Sequence, residues 1–368
     1  MRSHSIVEII SFQSSRKAAK SRFTHFSDLR EEPEVIDSSS RMDRKNEALY
    51  IGVDIGGTKI ALGLVTAKGK CLTQKSFPTQ VGKGSDWIIN HLVQEIRGLL
   101  EEVHLSIDAI HSIGIGVPGT VELTTGNVIL APNLYWQNVP FGDRMKAAFP
   151  TSSIYLDQDT NTAALGEYFL CDDASVENLL FITISTGIGS GLILDKKLYR
   201  GRLNMAGEIG HSIVEKNGVP CTCGSRGCLQ SYAKGPAIAD IVLQRIQNGE
   251  KSCLASRIVG DRLTAAQVAE AASQGDRLAR SVLLGAAEYV GLVLANVVSL
   301  LNLDLIIIGG GVAQSGEEFI QRIKDVTRAS CYPPAKESFR MALTTNWEKS
   351  ALIGAALLHK TLAASEQL

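Results

Sequence analysis

The chain has 368 residues, 45% of them hydrophobic, and a net charge of −1 that sets 37 Lys+Arg against 38 Asp+Glu. Such a chain can bury a sizeable core in about two domains, and its balanced charge excludes a global electrostatic case for a nucleic-acid or membrane surface. Four of the seven cysteines, Cys71, Cys171, Cys253 and Cys331, stand singly, as expected of a reducing compartment such as the cytoplasm rather than of a disulfide framework.

Residues 1–47 are Ser-rich with scattered charge and one short apolar run near Ile6 to Phe12, and read as a flexible extension. Five Lys or Arg against one acidic residue in the first 27 give it a faint transit-peptide character, and a start at Met42 is the other reading. From Leu49 two apolar strands are joined by Gly56-Gly57, and a third strand follows Lys68-Gly69-Lys70. A helix is predicted from about Ser85 to Val103, and a strand from Ile113 to Val117 ends in Pro118-Gly119. The pattern returns at Leu179 to Ile184, with a Gly-rich turn from Ser185 to Gly191, then Leu192 to Leu194 and a turn at Asp195-Lys196-Lys197. Two similar openings predict an α/β fold of two lobes with mixed sheets, 48–165 and 166–349, the first completed by the C-terminal helix within 350–368. Helical patterns dominate from Gly235 to Leu300, the strand Leu305 to Ile308 runs into Gly309-Gly310-Gly311, and a strand near Met341 to Thr344 precedes a helix from Ala351 to Ala364. The longest apolar runs are interrupted by Asn296, Ser299, Asn302 and Asp304, so none is expected to reach the length of a membrane span.

Gly207 to Cys228 is the densest stretch of chemistry. Cys221, Cys223 and Cys228 offer three soft ligands, and His211 supplies the nitrogen of a closed tetrahedral Cys3His zinc site, structural rather than hydrolytic. Gly224 and Gly227 let the chain wrap tightly. The turn Asp54-Ile55-Gly56-Gly57-Thr58-Lys59 sets a carboxylate at a strand end before bare backbone, a hydroxyl and an ammonium, an inventory that suits a polyphosphate and its Mg²⁺. An ordinary Gly-Gly hairpin is the plainer alternative, since neither a Walker A loop nor a dinucleotide fingerprint is present. Thr186, Gly187 and Gly189 offer similar backbone donors on the second lobe, and Gly309, Gly310 and Gly311 permit a flat purine to lie against the chain. Asp159 falls at a helix start, where the dipole favours an ionised carboxylate and where a plain N-cap is the competing role.

Together, Asp54-Ile-Gly-Gly-Thr-Lys59, Gly114-Ile-Gly-Val-Pro-Gly119, Ala131-Pro-Asn-Leu134 with Trp136, Asp159-Thr-Asn161, Gly207-Glu-Ile-Gly-His211 and the Cys cluster resemble the ROK family of sugar kinases over about 49–360. The resemblance implies a hexokinase/actin-like (ribonuclease H-like) fold, a hexose in an interlobe cleft, and ATP with Mg²⁺ across the phosphate turns. Asp159 is then the base for the sugar 6-hydroxyl, and Gly119, Gln158, Asp159, Glu208, His211 and Gln230 form the sugar site. Gln158 and Gln230 depart from the family's usual Asn and Glu, and an amide in place of a carboxylate exchanges acceptors for donors. Gln230 is therefore expected to shift preference among hexoses and N-acetylhexosamines. Glucose is the first expected substrate, with fructose, mannose, N-acetylmannosamine and N-acetylglucosamine as competitors. The family's sugar-responsive repressors and a catalytically weak sugar sensor are the other classes, although residues 1–46 lack two helical patterns joined by a turn. A homodimer or larger assembly is also implied, with neither nucleic acid nor membrane as partner.

Overall fold

The computed structural model describes residues 47–171, 173–258, 262–344 and 347–361, with the side chains of 347 and 348 excepted. The expectations for the extension before 47 and for the helix beyond 361 lie outside the described residues. The chain opens with β1 (Leu49–Ile55), β2 (Lys59–Thr66) and β3 (Cys71–Pro78), then α1 (Gly84–Glu102) and β4 (Ile110–Val117). A small antiparallel sheet that the sequence pattern did not announce follows, β5 (Thr120–Glu122), β6 (Asn127–Ala131) and β7 (Trp136–Val139), then α2 (Phe141–Ala148), β8 (Ser153–Gln158) and α3 (Asp159–Leu170). The second half repeats the scheme with β9 (Leu179–Ile184), β10 (Ile188–Leu194) and β11 (Lys197–Tyr199). After the cysteine loop come α4 (Gln230–Ala233), α5 (Gly235–Gln247), α6 (Ala265–Ser273), α7 (Arg277–Leu301), β12 (Leu305–Gly309), α8 (Glu317–Ser330), β13 (Arg340–Leu343) and α9 (Trp347–Ala356).

Two mixed five-stranded sheets result, ordered β3-β2-β1-β4-β8 and β11-β10-β9-β12-β13. In each the first three strands pair antiparallel and the last two join in parallel. β1, β9 and β12 read as near-continuous apolar runs because both of their faces are covered.

The helix that follows each sheet's last strand packs against the other sheet. α3 leaves β8 and lies on β9 and β10, whereas α9 comes after β13 and lies on β1 and β4. The two helices cross at glycines, since a Cβ on Gly166 would sit 1.8 Å from the Ser350 carbonyl oxygen and one on Gly354 1.8 Å from that of Thr162. Glu167 of α3, its carboxyl pushed up by burial, accepts hydrogen bonds from Ser350 Oγ at 2.7 Å and from Thr344. One core fills the space around the first sheet, including Ile51, Ile96 and Phe141, and a larger one joins the second sheet to α5–α8.

α7 corrects one expectation. Despite Asn296 and Ser299 it is an unbroken helix of 25 residues, long and apolar enough by length and composition to cross a membrane, with mean hydropathy 1.8. Its buried face, Val282 to Val298, is a principal part of the second core. Asp276 caps its start by accepting from Ala279 N at 2.9 Å, and Asn302 ends it in the left-handed region at φ 50°.

Candidate active site

β10 assembles the site. Its glycines leave room for two neighbours: a Cβ on Gly189 would sit 2.6 Å from Thr160 Cγ2, and one on Gly191 2.5 Å from the Thr160 carbonyl oxygen, which seats the first turn of α3 on the strand. Gly207 and Gly210 in turn lie against the backbone of Ser190 and Ile188, with Ser190 Oγ donating to Gly207 O at 2.5 Å. One strand thus carries Asp159 on one segment and Glu208 and His211 on the other.

Asp159 is the first residue of α3, with Thr160 N donating to its Oδ1 at 2.8 Å. The sequence reading has the helix dipole keeping this carboxylate ionised. Burial instead pushes it up to about 6, against the pull of the Thr160 N–H, and the Glu208 charge adds to the rise. A carboxylate so tuned ionises just below neutrality, where a base is efficient. Gln158, buried, precedes it at the end of β8. Gly119, at φ 105°, faces the Leu130 carbonyl oxygen closely enough that a Cβ would come within 2.1 Å, so only glycine serves there.

Behind Gln158 lies a polar cluster with no sequence signal. Asp157 is fully buried, and its Oδ1 accepts from Gln158 N (2.7 Å), Asn161 Nδ2 (2.8 Å) and Asn204 Nδ2 (3.2 Å), while Arg200 Nε donates to Oδ2 at 2.7 Å. This cluster ties the segment leading to Glu208 onto the strand that carries Gln158. Gln158 and Asn161 are local partners, but Arg200 and Asn204 lie 43 and 47 residues from Asp157, so no local pattern could reveal them.

The four metal-ligand candidates converge. One ligand atom each from His211, Cys221, Cys223 and Cys228 lie within 4.8 Å of one another, with Cys223 Sγ to Cys228 Sγ at 3.7 Å and Cys221 Sγ to His211 Nδ1 at 3.8 Å. A tetrahedron with Zn–S bonds of about 2.3 Å has edges of about 3.8 Å, so the donor set fits zinc. The chemistry of the thiols agrees. Although burial opposes the Cys221 thiolate, the Cys223 backbone N–H and the Gln230 amide bring it down to about 5, while burial and the neighbouring thiols push Cys228 up to about 12. Three sulfurs this close ionise together only around a cation. Gly224 (φ 92°) and Gly227 (φ 76°) take the left-handed turns expected of them, and the pairing of Ile213 with Cys228 ties the loop to the His211 segment. Gln230 Nε2 faces Cys221 Sγ at 3.2 Å.

The phosphate candidates separate into two groups. A cavity of about 1000 Å³ opens beside the second sheet, bordered by Thr186, Pro236, Ala269, Gly311 and Val312 among others. Of the residues expected to face a nucleotide, Thr186 and Gly311 line it. Gly187 lies in the adjoining turn, its carbonyl accepting from Ser185 N at 2.8 Å, and Gly189 is a ladder residue of β10. Gly309 and Gly310, expected beside a flat ligand, are buried and are not among the residues that line the cavity. The first abuts Phe181 and Thr344 and the second the backbone of Ile184, because these glycines serve close packing at the strand end. Asp54, Gly56, Gly57, Thr58 and Lys59 form a separate turn that does not line the cavity. Gly56 N donates to Lys59 O at 2.9 Å, and Thr79 braces the turn through Oγ1 to Gly56 O at 2.6 Å. Gly57 and Thr58 at its tip are exposed, with Asn133 nearby.

Residues 50–362 match the family model described as the ROK family. The chain belongs to the ROK family. Among relatives, a glucokinase of Halalkalibacterium halodurans is 33% identical over 84% of this chain and 94% of its own length. A xylose repressor of Caldicellulosiruptor bescii is 29% identical over 84% of this chain and 77% of its own. Among solved structures, a ROK family glucokinase from Streptomyces griseus in complex with glucose and AMPPNP is 31% identical, with a TM-score of 0.71 over 84% of this chain and 99% of that one. The α/β architecture with mixed sheets is therefore that of ROK kinases, in a family that also includes sugar-linked repressors.

Proposed function

We propose that this ROK protein transfers the γ-phosphoryl group of ATP to the 6-hydroxyl of a hexose, glucose before fructose, mannose or the N-acetylhexosamines. The observation that carries the reading is Asp159, a carboxylate tuned to about 6 and close enough to Glu208 to feel its charge. One oxygen is engaged by Thr160 N–H; the other accepts the proton of the 6-hydroxyl as that oxygen attacks phosphorus. Phosphoryl transfer is mainly alignment and charge neutralisation, and a positioned base adds about 10²–10⁴-fold. Gly119, Gln158, Glu208 and His211 hold the ring hydroxyls. With Nδ1 turned to the sulfurs, His211 keeps Nε2 for the sugar. The Cys3His set would hold zinc, which would fix that ring, and Asp54 would help hold Mg²⁺, which would supply charge neutralisation at the phosphates. The largely apolar wall of the cavity, with Pro236, Ala269 and Val312, supports a nucleobase donor over bare polyphosphate, as does the glucose and AMPPNP complex of the Streptomyces griseus relative.

A coupled assay for ADP with a panel of glucose, fructose, mannose and N-acetylhexosamines tests the proposal, with Asp159→Asn as control. Sugar-dependent ADP formation that drops about 10²–10⁴-fold in the control is the expected result. A control that turns over like wild type rejects Asp159 as the base. The likeness to a xylose repressor favours a second reading, a sugar-responsive regulator, and sugar binding without any ADP formation would decide for it.

A further inference from the structure

We infer that Gln230 is a positioning residue of the metal loop, its amide oriented by Cys221 rather than by the sugar. The inference rests on the reading of His211, Cys221, Cys223 and Cys228 as zinc ligands. Gln230 opens α4 two residues after Cys228, and its side chain reaches back to the first cysteine, with Nε2 donating to Cys221 Sγ at 3.2 Å. It therefore adds a side-chain closure from outside the ligand set to the backbone bonds that already hold the loop, Cys221 N to Ser225 O, Gly227 N to Val219 O and Val214 N to Gly227 O, each at 2.8 Å.

A hydrogen bond to a ligating sulfur orients its lone pairs toward the cation and relieves the charge that three thiolates concentrate in one place. The choice of residue then has a physical reason. An amide offers a donor to the thiolate, whereas a carboxylate of the same shape would set a second anion against it. With Nε2 committed to sulfur, the side chain retains Oε1 as a neutral acceptor, and its influence on a bound hexose passes largely through the loop that holds His211.

Zinc affinity of the full-length, zinc-loaded protein, measured by competition with a chromogenic chelator, tests this in wild type, Gln230→Met and Gln230→Glu. Met keeps the length without a donor, and Glu keeps the shape but reverses the polarity. Affinity is expected to fall about 10-fold in the Met variant and toward 100-fold in the Glu variant, with thermal midpoints in excess zinc unchanged. Equal affinities in all three proteins overturn the inference. Wild type that retains no zinc while still phosphorylating a sugar overturns the metal reading and the inference together, and leaves the kinase reading standing. Loss of that reading with the affinity order intact would separate the two in the opposite direction.

Discussion

The two halves share a strand order and a hairpin opening, yet their first turns have diverged. The turn from Asp54 to Lys59 is held by Thr79 and carries Gly57 and Thr58 at an exposed tip. Its counterpart at Ser185 to Gly187 leads into a cavity of about 1000 Å³, because α5, α6 and the Gly311 turn stand around it. A repeated sheet thus provides two backbone platforms, and the insertions decide what each can hold. In the first half the insertion between β4 and β8 brings a small sheet and the Gly119 turn, and in the second the insertion between β11 and β12 brings the cysteine loop and the cavity walls. Asp159 sits where the halves exchange helices, at the start of the one that leaves the first sheet for the second.

The sharpest way to break this comparison is to remove the charge at the exchange point. Asp159→Asn is expected to lower kcat by about 10²–10⁴-fold. In the wild type, kcat/KM should fall roughly tenfold per pH unit below about 6, where Asp159 takes up its proton. A limb that persisted in the Asn variant would assign the titration to another group. The same substitution has an opposite effect on stability. Because the folded chain holds this proton up to about 6 and an unfolded Asp releases it near 3.9, the native state binds more protons between those values. Stability contributed by the protonated form is present below about 4 and is lost as pH rises to about 6. Asp159→Asn should therefore raise the unfolding free energy by about 2–3 kcal/mol at pH 7–8, with the gain gone below pH 4. Denaturant melts at the two pH values check the sign.

Much of this arrangement was legible in the sequence, for identifiable reasons. The repeat of strand, glycine turn and strand announces two mixed sheets because a hairpin is a local event, and the convergence of Cys221, Cys223, Cys228 and His211 into a candidate metal site was legible because the four are close in the chain. Asp159 at a helix start is local too. Arg200 and Asn204 on Asp157, the helix exchange at Gly166 and Gly354, and the cavity at Ala269 are long-range facts, invisible to spacing. Gly309 and Gly310 show the limit of a glycine signal, because glycine permits close approach by ligand or by protein alike, and here Phe181, Thr344 and Ile184 stand where a Cβ would go.

The asymmetry between the turns is sharpened by filling the cavity. Ala269 of α6 lines it and, although it packs against the edge of the second core, is only half-buried, so Ala269→Trp adds bulk to the cavity wall. KM for ATP is expected to rise about tenfold or more, the loss of roughly 1.4 kcal/mol of binding, with KM for the hexose unchanged. Equal rises in both would mean that the cavity does not serve the donor alone.

The first turn has a smaller but cleaner test. It has no cavity wall to lean on, and Thr79 takes that part, its N–H donating to Thr58 O at 2.9 Å and its hydroxyl to Gly56 O at 2.6 Å. Thr79→Val preserves the shape and the backbone bond and deletes only the hydroxyl, leaving one carbonyl unpaired beside a fully buried side chain. A loss of about 1–2 kcal/mol is expected in denaturant unfolding. If Asp54 and the glycines after it hold the magnesium shell, loosening them should also raise the Mg²⁺ concentration needed for half-maximal rate, while the affinity for nucleotide alone, set in the other half, stays as it was. A variant that lost nucleotide affinity and kept its magnesium response would show that the two turns are not divided in labour but work as one site.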